Sequence, residues 1–296
     1  MTTGEQTRRA ILSAAIVVVS SVVSLAALAG TAAVRVTGKS GRAALHATFS
    51  FKAAAHEEAF GSMPLNEHRE IHRPLAAPIG FAAENEQGAG ETESEEQAPA
   101  ASSVQSPTSI NSFLAVADNG TVIPPDTEGA VGPNHVMEAL NSQVVIQDRS
   151  GKQLSAITNS TFWTSLGVTE AFDAHVLYDP YAQRWIFSSA AGEMGPNSAI
   201  LIGVSQTSDP TAGWNLYKVD LGSSVNWADY PTLGFNKNWI VVQANIFTIA
   251  GNSFVNSMVW AFDKADLYAG GSGKYTVLTP PNGFTQVPAT TLDPNV

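Results

Sequence analysis

The sequence predicts an all-β protein: an incomplete β-propeller of about three four-stranded antiparallel blades, preceded by a signal segment and a disordered linker. Two observations carry this. From Asn111 onward, short runs rich in β-branched and aromatic residues ("SQVVIQD", "RWIFSSA", "WIVVQANIF") alternate with Gly, Pro, Asn and Asp clusters, and no amphipathic helical period interrupts them. Aspartate-led units also recur, opening at Asp126, Asp173 and Asp229, which are 47 and 56 residues apart. That period suits a four-stranded sheet, which exposes both faces and needs a neighbour on each side.

The N-terminus reads as an export signal over residues 1–33. Arg8 and Arg9 precede an apolar run from Ala10 to about Gly30, and Ala27, Ala29, Ala32 and Ala33 offer small-residue cleavage sites. "TRRAIL" also resembles a twin-arginine signal, so export is expected by either the general secretory or the twin-arginine route. Left uncleaved, the run would be long enough to anchor the chain in a membrane.

Residues 34–110 read as a low-complexity, acidic linker or pro-segment. The stretch to about Phe81 is alanine-rich and without sustained period. "AAENEQGAGETESEEQAPAASSVQSPTS" then supplies six glutamates and no Lys or Arg, a composition that cannot bury a core. Residues 111–296 form the expected domain, in which all six tryptophans lie between Trp163 and Trp260.

The three units align as "DTEGAVGPNHVMEALN", "DAHVLYDPYAQRWIFSSA" and "DYPTLGFNKNWIVVQAN". Each opens on Asp, runs through a short strand, turns, and returns with His135, Trp185 or Trp239 leading the next strand. Trp185 and Trp239 are expected to pack between sheets. Three blades fall short of the about 4–8 of a closed propeller, and "ATTLDPNV" reads as the opening of a further blade.

The net charge of −11 excludes a general nucleic-acid binder, which would present a basic face. The absence of cysteine excludes disulfides, thiolate metal sites and thiol nucleophiles.

The aspartates would gather at the mouth of the propeller's channel, with Glu128 and His175 each two residues beyond an opening aspartate. Asp126, Glu128, Asp173 and Asp229 are therefore the candidate catalytic carboxylates, as the acid and base of a glycosidase. Asp173, His175, Asp229 and Tyr230 are the candidate ligand-binding residues. The plainer reading is that each Asp caps backbone N–H groups, since a structural need recurs in every blade whereas an active site breaks symmetry. No cofactor is implied; calcium is the one ion such oxygens would suit.

Tyr181, Trp214, Trp227 and Tyr230 are either sugar-stacking platforms or packing between blades. "HREIH" has its glutamate in the wrong place for a zinc helix, and "AGGSGKY" lacks the first Gly and the Ser/Thr of a phosphate loop. Metal ligands are assigned nowhere.

"TSDPTAGWNLYKV" resembles a hairpin-stabilising segment of five-bladed glycosidase propellers and, with altered spacing, the Asp-box of sialidases; Ser208, Asp209, Gly213 and Trp214 match in type. With "VLYDPYAQRW", "DYPTLG" and "VWAFDKADLYAG", it makes residues 111–296 similar to large secreted bacterial proteins with a sialidase-like propeller. The resemblance implies the fold and export and carries over no catalytic residue. A sialidase would need several arginines around its substrate carboxylate, and only Arg149 and Arg184 fall in the units. The expected function is thus a secreted or cell-surface module binding an extracellular glycan or protein, with a neutral-sugar glycoside hydrolase as the alternative. A membrane contact is expected only through an uncleaved N-terminal segment.

Overall fold

A computed structural model of the chain describes residues 36–54, 69–70, 108–293 and 295. The expected signal segment, most of the glutamate-rich stretch and the two histidines of "HREIH" lie outside them. Among the described residues no helix is long and apolar enough to cross a membrane.

The fold is all-β. Strands β1 (Lys39–Arg42) and β2 (Leu45–Ser50) come first, then a short parallel pair, β3 (Arg69–Glu70) and β4 (Val122–Ile123). Three antiparallel meanders follow. The first contains β5 (Glu128–Val131), β6 (His135–Ala139), β7 (Gln143–Asp148) and β8 (Gln153–Thr158). The second contains β9 (Ala171–Asp179), β10 (Arg184–Ala191), β11 (Ala199–Ser205) and β12 (Gly213–Asp220). The third contains β13 (Asn226–Phe235), β14 (Trp239–Thr248), β15 (Phe254–Asp263) and β16 (Lys274–Leu278).

The middle sheet explains why its strands read as nearly unbroken apolar runs. Along β10, Phe187 points into a core shared with Met137, Val144 and Ile146 of the first sheet. Its neighbour Ile186 points the other way, into a core shared with Phe235, Ile240 and Val242 of the third. Both faces are covered, so the alternation of polar and apolar residues expected of a half-exposed strand is lost. Trp185, Trp214 and Trp227 are fully buried.

Turn chemistry follows the sequence. Asp179 Oδ1 accepts from the amides of Tyr181 and Ala182 at 3.0 and 3.2 Å, and Asn236 Oδ1 accepts from those of Asn238 and Trp239, both at 2.9 Å. These Asx turns fix the "DPYAQR" and "FNKN" hairpins. In "TSDPTAGW", Asp209 Oδ1 accepts from the Thr211 amide at 2.9 Å, and the Trp214 indole donates to the Pro210 carbonyl at 2.8 Å, closing the β11–β12 connection.

Two expectations change. Trp239 is 42% exposed and does not pack between sheets as Trp185 does, because by register it corresponds to Arg184 while the fully buried Ile240 takes the place of Trp185, and neighbours along a strand face opposite ways. Strands also occur within 34–110, where none was expected: β2 adds to the outer edge of the second sheet beside β12, and β1 to that of the third beside β16. Only Ala43 and Ala44 separate them, and their amides donate to Gly273 and Lys218 carbonyls at 3.0 and 2.7 Å. Phe51, just beyond β2, is fully buried against Phe162 and Trp214. β1 (KSGR) pairs through backbone groups and carries no apolar period, whereas β2 does alternate, its Ala47 and Phe49, with Phe51 just beyond, packing into the first core.

Candidate functional site

The inner strands β5, β9 and β13 lie side by side. Near the start of each sits a residue with a left-handed backbone: Asp126 (φ 44°), Asp173 (φ 50°) and Tyr230 (φ 51°). In β9 and β13 this residue belongs to a bulge. Partners run from His175↔Ser188 to Phe172↔Ala190 in the second sheet, and from Thr232↔Gln243 to Asp229↔Asn245 in the third. Asp173 and Ala174 therefore oppose the single residue Ser189 in one, and Tyr230 and Pro231 oppose Ala244 in the other. The opening aspartates are thus not all equivalent. Tyr230 corresponds to Asp173, and Asp229 corresponds to Phe172, one residue out of the sequence alignment.

The bulges draw the six candidate residues into one cluster. Asp173 is 9% exposed and Asp229 8%. Asp173 Oδ2 accepts from the Tyr230 amide at 3.0 Å, and its carboxyl hydrogen-bonds to that of Asp126. Asn141, which follows β6, ties the pair together: its Nδ2 donates to Asp126 Oδ2 at 3.0 Å and its Oδ1 accepts from the Asp173 amide at 2.6 Å. On the adjoining strands His175 Nδ1 lies 3.6 Å from Glu128 Oε1, and the His175 ring meets the exposed Tyr230 ring edge-on at 6.4 Å.

Burial sets the protonation of this cluster. It raises Asp173 most, the charges of Asp229 and Asp126 raise it further, and the Tyr230 amide only partly offsets them, leaving it at about 8. Glu128 is raised by burial and then by Asp126. His175 is lowered by burial, with Asp126 opposing. At neutral pH, then, Asp173 keeps its proton and donates it to Asp126, and the His175 contact with Glu128 is a polar contact of a neutral imidazole. Among the described residues no group of three or more His, Cys, Asp or Glu is placed to hold a metal ion.

Sequence reasoning missed the asparagines. Asn245, in β14, accepts from the Thr285 amide at 2.8 Å as Asn141 does from that of Asp173, and Thr285 is again left-handed (φ 45°). By register Asn141, Ala190 and Asn245 correspond. Where the middle sheet has Ala190, Asp173 itself caps the next unit through Tyr230. The signal lay in the aligned units, two of which end in Asn and one in Ala.

Of the other aromatic candidates, Trp214 and Trp227 are core residues, whereas Tyr181 is half exposed. No family model, curated protein or solved structure matches this chain.

Proposed function

We propose that the three sheets are blades of an exported β-propeller and that the cluster at the openings of its inner strands binds a neutral glycan. The reading rests on the exposed ring of Tyr230, held in a left-handed bulge beside His175, Glu128 and the protonated Asp173. An aromatic face bordered by a neutral imidazole and a protonated carboxyl suits a pyranose, whose C–H face is apolar and whose rim is hydroxylated. Support for the propeller comes from the packing of the middle sheet's two faces against its neighbours and from the repeated capping of left-handed residues by Asn141, Asp173 and Asn245. Export is supported by the paired arginines and apolar run at the N-terminus.

The test is a screen of the full chain on immobilised neutral and charged glycans, beside Tyr230→Ala. Binding to a neutral glycan that falls at least tenfold in the variant supports the proposal; no neutral ligand, or one indifferent to Tyr230, overturns it.

Hydrolysis is the less favoured reading. Carboxyl groups of a glycosidase stand about 5–9.5 Å apart, and the direct hydrogen bond brings Asp126 and Asp173 closer than that.

A further inference from the structure

A cavity lies toward the other ends of β9 and β13. Asp173 and Asp179 are six residues apart on β9, about 20 Å at the usual rise of a strand. The cavity has a volume of ≈ 360 Å³ and is walled by Tyr181, Ala182, Lys237, Lys264, Ala265 and Tyr268, from the β9–β10 turn, the β13–β14 turn and the short helix Lys264–Tyr268. That is within the range of small-molecule pockets, about 300–1,000 Å³.

Its frame is built around a buried ion pair. Lys264 Nζ lies 2.5 Å from Asp179 Oδ2 with both side chains almost wholly buried, and it also donates to the Asn236 carbonyl at 2.8 Å. The Tyr268 hydroxyl donates to the same Asp179 oxygen at 2.9 Å, while the Tyr181 amide donates to Asp179 Oδ1 at 3.0 Å. Asp179 thus fixes one tyrosine by its hydroxyl and the other by its backbone. Burial and the Asp179 charge push the Tyr268 phenol up, so it stays neutral.

The charge here opposes that of the whole chain. Asp179 neutralises Lys264. Arg184, whose charge reaches Tyr268, spends its Nη1 on the carbonyls of Ala182 and Gln183 at 3.2 Å. Lys237 is exposed and makes no ion pair among the described residues. Two cations, Lys237 and Lys264, thus stand in the wall of a cavity in a chain of net charge −11.

We propose that this cavity binds a small ring compound carrying a carboxylate. The ring lies against Tyr181 and Tyr268 over the methyl groups of Ala182 and Ala265, and its carboxylate meets the Lys237 ammonium. Uronate sugars and aromatic acids share that chemistry. The site is separate from the glycan site proposed above and does not depend on it.

The experiment is titration calorimetry of the full chain with trigalacturonate, with indole-3-acetate and with neutral galactotriose. Lys237→Gln and Tyr181→Ala, both at exposed positions, are compared at equal thermal stability. Expected is saturable binding of one acidic probe, weakened at least tenfold by each substitution and by raising salt from 0.05 to 0.5 M, with Lys237→Arg retaining it; which acid binds identifies the source. Absence of binding by both acids at millimolar concentration, equal binding of galactotriose, or indifference to Lys237→Gln overturns the proposal. Tyr230→Ala is expected to leave this binding unchanged, so failure here and failure of the glycan reading are distinguishable.

Discussion

Asn141 and Asp173 are joined by a 2.6 Å bond from the Asp173 amide to the asparagine Oδ1, so a side chain of the first sheet holds the bulge that opens the second. The same asparagine donates to Asp126. Asn141→Ala leaves the buried Asp173 N–H without its acceptor, costing about 1–3 kcal/mol, and removes one of the donors to Asp126. A fall in the urea midpoint of that order is expected, with the far-ultraviolet spectrum unchanged.

Asp173 makes stability depend on pH in an unusual direction. Below the ordinary aspartate value the folded and unfolded chains both hold its proton. Between about 4 and about 8 the unfolded chain releases it and the folded chain keeps it, so this group's contribution falls as pH rises and levels off above about 8. Asp173→Asn resembles the protonated carboxyl and can still accept from Tyr230. It is expected to flatten that slope and to match or exceed the wild type in thermal midpoint at pH 8. Asp173→Ala, lacking the acceptor, is expected to fall below both.

The buried pair Lys264–Asp179 is expected to be costly to halve. Lys264→Met leaves the fully buried Asp179 without its countercharge, a loss of about 3–5 kcal/mol. Denaturation curves should show it, and adding Asp179→Asn should recover part of it, since two uncharged groups need no compensation.

Phe51 tests whether the N-terminal strands belong to the folded unit. Its ring is fully buried against Phe162 and Trp214, and Phe51→Ala should cost about 3–5 kcal/mol. An unchanged unfolding midpoint would show that residues 36–54 contribute nothing.

His175 should titrate below the usual histidine range, because burial outweighs the attraction of Asp126. Proton NMR of its ring across pH 4–8 would locate the midpoint, and one above about 6.5 would contradict the assignment.

The all-β class and the succession of antiparallel units were legible because period and turn residues are local signals: Asp179 and Asn236 announce their hairpins regardless of context. Trp185 was placed correctly and Trp239 was not, since the register puts the buried Ile240 at the place of Trp185 and leaves Trp239 at that of Arg184, on the opposite face of the sheet. The candidate residues were named from repetition alone, yet the alignment paired Asp173 with Asp229. A bulge that shifts register by one leaves no mark on composition, and Tyr230 takes a left-handed backbone ordinarily met with Gly or Asn. The Lys264–Asp179 pair, whose partners are far apart in sequence, could not be read at all.

The placement of β1 and β2 has a temporal side. Phe49 finds its partner Trp214 165 residues later, and Ser40 waits for Thr276. The second sheet can gain its fifth strand only when β12 emerges and the third only when β16 does, so β2 and β1 wait unpaired while the other strands of their sheets are made. Closing such long loops defers the reward of these pairings, and until β12 and β16 are made β2 and β1 are themselves open templates for any other strand.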